Sequence, residues 1–217
     1  MDARVTQPAP LSQTVVSTPS QPASASIPAR VVLVRHAATE WSKSGRHTGR
    51  TDLTLLPEGE AEARRLGGRL VGLRPALVLS SPPRRALDTC RLAGFGDGVE
   101  TADLLLEMDY GQYEGLTTDQ IRKRRPSWDL FADGCPGGET ISDVGRRCDA
   151  LIARLRSDPR LAGRDVLAFA HGHVLRVLTA RWLDLEAREA RHFALGAGAV
   201  AVLEWEHEWT ALAGWNR

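Results

Sequence analysis

The sequence predicts an α/β protein, a three-layer α/β/α sandwich around a mostly parallel central sheet. Three observations predict it. Short apolar runs rich in branched residues recur at Val31-Val32-Leu33-Val34, Ala76-Leu77-Val78-Leu79 and Val166-Leu167-Ala168-Phe169-Ala170, the pattern of strands buried on both faces. Amphipathic helical stripes lie between these runs. Polar clusters follow each run directly, at the strand ends where open α/β sheets bind their ligands.

The elements follow in order. Residues 1–29 are rich in Ser, Thr, Gln, Ala and Pro (Pro8, Pro10, Pro19, Pro22, Pro28), with neither the basic start nor the apolar core of a signal peptide. Such a segment buries too little apolar surface to offset its ordering entropy, so a disordered tail is expected ahead of a folded domain over 30–217. The first strand runs straight into Arg35-His36. Pro57 opens a helix that places Ala63, Leu66, Leu70 and Leu73 on one face. After the second strand, Ser81 is the expected N-cap, Pro82 the first helical residue, and Arg85 a first-turn side chain near free N–H groups. The run Arg122-Lys123-Arg124-Arg125, stopped by Pro126, reads as the solvated end of a helix. Thr140 with Asp143 forms a capping box for the stripe Ile141, Val144, Cys148, Leu151, Ile152 and Leu155. Val174, Leu175, Leu178 and Trp182 make a third stripe. Val200-Ala201-Val202-Leu203 is a fourth strand, with Trp209 to Trp215 as its hairpin partner.

Bulk composition bounds the function. With 217 residues, 42% hydrophobic and 25% charged, the chain has material for one real core. Lys plus Arg number 28 against 27 acids, which leaves no general basic face for nucleic acid. No apolar stretch is long enough to span a membrane. Cys90, Cys135 and Cys148 are odd in number and lack metal-ligand spacing, so a reduced, cytoplasmic setting is expected. The partner expected is a small molecule, with neither nucleic acid nor membrane. Trp182, Trp205, Trp209 and Trp215 read as core positions, and a homodimer is left open.

Two arginines and two histidines reach one edge of this sheet: Arg35, His36, Arg85 and His171. Arginines keep their charge and present planar forks that match phosphate oxygens. Their field lowers a histidine's pKa, so His36 is expected to stay neutral and nucleophilic near pH 7. The set suits transfer of a phosphoryl group to an imidazole. His171 and His173 alternatively read as metal ligands, but carboxylates or cysteines at ligand spacing are missing, so neither metal nor cofactor is expected.

The chain resembles the histidine phosphatase superfamily, also called phosphoglycerate mutase-like. The family's signature, Arg-His-Gly-x-Thr, is matched by Arg35-His36-Ala37-Ala38-Thr39 apart from Ala37. Thr48-Gly49-x-Thr51-Asp52-Leu53, Ser81-Pro82-x-x-Arg85-Ala86 with Thr89, Glu107 ahead of Tyr110-Gly111-x-Tyr113-Glu114-Gly115, Gly138-Glu139-Thr140 and His171-Gly172-His173 follow in family order. The resemblance implies that His36 is the nucleophile and that Arg35, Arg85 and His171 surround the phosphoryl group. It implies that Glu107 protonates the leaving alcohol and then assists water. It also implies that Ser42, Thr48, Gly49 and Gly172 contact phosphate. Ala37 replaces the usual glycine, so the backbone there is expected to avoid positive φ.

Within that resemblance, a phosphatase is favoured over a mutase. Glu107-Met108-Asp109-Tyr110-Gly111 lacks the Arg-His pair of the mutases, and the segment after it is short for a lid that would keep water from a phosphohistidine. The motifs look like the branch of broad acid phosphatases and sedoheptulose-bisphosphatase-type sugar phosphatases. His47 and Arg122–Arg125 are candidate contacts for a second phosphate. Mutase-type phosphoryl transfer is the alternative, and a non-catalytic phosphate-binding module is disfavoured because Arg35, His36, Glu107 and His171 are all present.

Overall fold

Arg30–Arg35 (β1) alternates its branched side chains between two cores. Val31 and Leu33 enter one, and Val32 and Val34 enter the other. The computed structural model describes residues 27–217. After β1 come Glu40–Ser44 (α1), Pro57–Arg69 (α2), Leu77–Ser80 (β2), Arg84–Leu92 (α3) and Glu100–Thr101 (β3). Thr118–Arg122 (α4), Leu130–Asp133 (α5) and Ile141–Ser157 (α6) precede Asp165–Ala170 (β4) and Gly172–Trp182 (α7). Val200–Glu206 (β5) and Trp209–Gly214 (β6) close the chain as a hairpin.

The sheet has six strands in the order β3-β2-β4-β1-β5-β6. The first four run parallel, and β5 and β6 are antiparallel, as the hairpin requires. Leu66 and Leu70 at α2 and Cys90 and Ala93 at α3 cover one face of the sheet, over Val32, Val34, Leu167 and Phe169. The stripes of α6 and α7 cover the other, over Val31, Leu33, Val166 and Ala168. Burial of each such Leu, Val or Ile contributes about 1.5–3 kcal/mol, so the two faces hold the strands in one register. The expected three-layer sandwich is the fold.

Several local expectations change. The described chain already bonds from residue 27: Gly163 N–H donates to Ile27 O, and Ala29 N–H donates to Arg164 O. The rest of the expected tail, 1–26, lies outside the described residues. Ser81 is not a helix cap. Its N–H donates to Phe169 O and prolongs the sheet pairing, and α3 begins two residues after Pro82, with Pro83 at the N-cap. Thr140 and Asp143 do form the capping box of α6. Two further boxes were not foreseen, Thr39 with Ser42 on α1 and Thr117 with Gln120 on α4. Both carry the Thr-x-x-polar spacing, but their helices are only 5 residues long and too short for a periodic stripe.

The tryptophans divide between core and surface. Trp182 is buried, and Arg156 lies 5.4 Å from its ring centroid and 5.0 Å from that of Trp205. Trp215 donates to Ala194 O, whereas Trp209 is 71% exposed on the edge strand β6. Among the described residues, no helix is long and apolar enough to cross a membrane.

The start of α2 bears on the site. Leu56 N–H donates to Ala38 O, and a Cβ on Gly59 would collide with that same backbone. Gly59→Ala is therefore expected to cost about 1–3 kcal/mol in urea unfolding, because backbone cannot yield as a flexible side chain does.

Candidate active site

Strand register assembles the site. Arg35 pairs with Ala170 across β1 and β4, so His36 and His171 are each the first residue beyond the same edge. His36 N–H donates to Ala170 O, and Ser81 N–H donates to Phe169 O, which brings the end of β2 alongside. The His36 and His171 ring centroids are 5.3 Å apart.

His36 is buried, and its Nδ1 lies 2.8 Å from Ala37 O. A carbonyl can only accept, so Nδ1 carries the hydrogen and Nε2 keeps its lone pair. Burial, followed by the charges of Arg35 and Arg85, holds the His36 pKa well below 6.5. The imidazole is thus neutral with a fixed tautomer. Ala37 N–H donates to Thr89 Oγ1, which in turn donates to Arg85 O. Ala37 does not adopt positive φ, in line with its having replaced a glycine.

Arg85 is wholly buried and behaves as a clamp. Its Nε donates to His171 Nδ1 at 3.1 Å, its Nη1 to Thr51 O, and its Nη2 to Thr48 O and Gly49 O. From the other side the Glu114 carboxylate accepts from Gly49 N–H and Thr51 N–H. Loop 48–51 is held between these two side chains. Because Arg85 only donates, His171 Nδ1 is an acceptor and its Nε2–H faces Ser81 Oγ at 2.7 Å. Burial, then Arg85, His36 and Arg35, push the His171 pKa well below 6.5.

Glu107 sits at the first turn of α7. Its Oε1 accepts from Met108 N–H and Val174 N–H, and its Oε2 from His173 N–H, all at 2.9 Å. Two of these donors are otherwise unsatisfied helix-start groups, so one side chain both caps the helix and is aligned by it. Arg35 donates to Leu195 O, but its Nε is buried with no partner among the described residues. Gly172 makes room for that guanidinium: a Cβ there would lie 3.3 Å from Arg35 Nε.

A cavity of about 240 Å³ joins Arg35, His36, Glu107 and Gly172 to Ser42 and Thr48. Ser42 Oγ is engaged in the α1 box, donating to Thr39 O. That helix ends at Gly45, whose φ of 72° turns the chain toward Arg46 and His47. Thr48 Oγ1 donates to Arg46 O, and the N–H of Gly49 is taken by Glu114, so Gly49 supports the loop rather than lining the cavity. Arg85 and His171 stand behind the wall.

The lining also includes Arg46, Tyr110, His173 and Arg176, which were not assigned to the site from the sequence. Tyr110, whose pKa burial pushes well above 10, shares a hydrogen bond of 2.6 Å between its hydroxyl and His173 Nδ1. His171 and His173 are therefore committed to different hydrogen bonds. Of the expected second-phosphate contacts, His47 lines the cavity but Arg122–Arg125 does not: Arg122 donates to Trp128 O, and Arg125 faces Tyr113 and Asp133. The spacing from Gly172 to Arg176, one helical turn, is the signal that would have found Arg176.

The chain belongs to the histidine phosphatase superfamily (branch 1), whose sequence profile matches residues 31–217. It is 41% identical over 181 residues to the acid phosphatase of Mycobacterium tuberculosis, covering 82% of this chain and 87% of that one. It is 38% identical over 188 residues to sedoheptulose 1,7-bisphosphatase of Saccharomyces cerevisiae, covering 74% and 69%. The solved native structure of mycobacterial glucosyl-3-phosphoglycerate phosphatase matches with a TM-score of 0.77 at 30% identity, over 86% of this chain and 98% of that one. The chain is a histidine phosphatase with phosphatase relatives.

His47 gives the site an acid-sensitive element. Burial lowers its pKa from 6.5 to about 4, and its Nε2 has no partner among the described residues. The unfolded chain takes up this proton first as pH falls, so the stability loss runs from about pH 6.5 down to about pH 4. His47 accounts for up to about 3 kcal/mol of it. Urea midpoints measured from pH 7 to 4.5 are expected to fall less steeply for His47→Phe than for the parent.

Proposed function

We propose that this protein hydrolyses phosphate monoesters of small metabolites, sugar phosphates among them, in the cytoplasm, through a phosphohistidine on His36. The observation that carries the reading is the state of His36. Its Nδ1–H is tied to Ala37 O, which leaves the Nε2 lone pair free, and Arg35 and Glu107 line the same cavity as His36.

Nε2 of His36 attacks phosphorus as the ester P–O bond breaks, and the leaving alkoxide takes a proton from Glu107. Water then attacks phosphorus as the P–N bond to His36 breaks, Glu107 takes one of the water's protons, and inorganic phosphate leaves with His36 neutral again. Arg35, on the cavity wall, meets the phosphoryl oxygens with its guanidinium charge. Arg85 and His171 act from behind, through a field already oriented before substrate arrives. Ser42, Thr48 and Gly172 border the phosphate position, and Gly49 keeps loop 48–51 in place against Arg85.

Hydrolysis of a chromogenic aryl phosphate without added metal is the test. His36→Ala is expected to lower turnover by roughly 10⁴-fold or more, and the parent quenched mid-reaction is expected to carry acid-labile phosphate. Glu107→Gln is expected to cost about 10²–10⁴-fold on alkyl phosphates and less on aryl phosphates, whose leaving groups need little protonation. Because His36 stays unprotonated well below pH 6.5, activity is expected to peak on the acidic side of neutral. A rate still climbing above pH 8 argues against Glu107 as the acid, and loss of turnover with a chelator sinks the metal-free account.

A further inference from the structure

The backbone that carries Glu107 belongs to no strand or α-helix. After one 3₁₀ turn at Asp103–Leu105 the chain runs without regular structure to Tyr110. No ladder of a sheet or helix holds it, so other groups must. They come from the start of α6. Arg147 donates through Nε and Nη2 to the two oxygens of Glu139, at 2.8 and 2.9 Å, a bidentate pair. Its Nη1 donates to Leu104 O at 3.0 Å and to Leu106 O at 3.1 Å. Glu139 Oε2 also accepts from Asp109 N–H, and Glu139 N–H donates to Asp109 O, both at 2.9 Å. The chain is thus gripped on either side of Glu107.

This pair is unlike the chain's other ion pairs. The Arg147 and Glu139 side chains are 21% and 23% exposed. In every other Lys or Arg pair with a carboxylate among the described residues, the cation is at least 31% exposed. A largely buried ion pair adds little net stability, because desolvation offsets the attraction. What such a pair does supply is fixed geometry.

The acid step needs that geometry at one particular moment. As a carboxylate, Glu107 is aligned by three N–H groups, those of Met108, His173 and Val174. Carrying the proton it donates, the neutral carboxyl accepts those bonds more weakly. Its own hydrogen bonds therefore hold it least when it acts as an acid. The grip of Arg147 and Glu139 on the flanking backbone does not depend on that proton.

We propose that Arg147 and Glu139 are positioning residues for proton donation, holding segment 104–109 so that protonated Glu107 stays aligned on the leaving oxygen. Neither residue lines the catalytic cavity, so both act through Glu107. A proton donor must lie within hydrogen-bond reach of its target, and a displacement of about 1 Å can cost on the order of 10²-fold. This inference rests on the phosphatase reading above and adds to it a support outside the cavity.

The test compares kcat/KM on phenyl phosphate and p-nitrophenyl phosphate for the parent, Arg147→Lys, Glu139→Gln, Glu107→Gln and the double variant Arg147→Lys/Glu107→Gln. The two substrates are alike in shape, but phenolate is the more basic leaving group and needs the proton more. Their kcat/KM ratio therefore reads the step in which Glu107 gives up its proton. Arg147→Lys keeps the charge but loses the fork, and is expected to lower the phenyl to p-nitrophenyl ratio about tenfold. Glu139→Gln, which keeps an acceptor for Asp109 N–H, is expected to lower it about threefold and carries the test by itself if Arg147→Lys does not fold. In the Glu107→Gln background Arg147→Lys is expected to leave the ratio unchanged, because the acid it positions is gone. Equal loss on both substrates, or the same further drop without Glu107, overturns the positioning role alone. A ratio that Glu107→Gln itself leaves unchanged overturns Glu107 as the acid, and absence of any turnover by the parent overturns the phosphatase reading.

Discussion

Parallel pairing of β1 with β4, in the register that sets Arg35 opposite Ala170, is the constraint on which the site depends. It places His36 and His171 one residue past the same edge, and β2 brings Ser81 there through its own pairing with β4. A slip of one residue would turn Val31 and Leu33 to the wrong face and carry both histidines with them. The two apolar cores that fix the register thus also fix the distance between catalytic candidates 135 residues apart in sequence. Packing energy, spread over many branched side chains, is what holds a small polar constellation in place.

Behind that edge the chain uses one buried cation for several tasks. Arg85 holds the carbonyls of loop 48–51, sets the tautomer of His171 and depresses the pKa of His36. Burying a guanidinium is costly unless its donors are satisfied, and here backbone carbonyls and an imidazole satisfy them. None of those partners carries negative charge, so the positive field stays available to an anion. Glu107 follows a similar economy at the other side of the cavity, accepting the first N–H groups of α7 while facing the same space.

Much of this was legible in the sequence. The branched runs and the Thr140–Asp143 box were correctly placed, and the order of motifs from Arg35-His36 to His171-Gly172-His173 matched the family to which the chain belongs. Errors clustered where short-range chemistry competes with long-range contacts. Ser81 has the composition of a helix cap, yet its backbone pairs with β4 and its hydroxyl with His171. Gly49 reads as a phosphate loop, yet its N–H belongs to Glu114, 65 residues away.

Arginine shows the division most clearly. The sequence by itself determined the fold class, the nucleophile candidate and the family, because hydrophobic period and contiguous motifs are local properties of the chain. Only the tertiary structure decided which arginines share the cavity with His36. Arg122–Arg125 is the conspicuous run, but α4 and its following turn commit it elsewhere, while Arg46 and Arg176 are brought in from a loop and a helix 130 residues apart. Charge is written residue by residue, whereas an uncompensated charge is a statement about neighbours, and neighbours are set by folding.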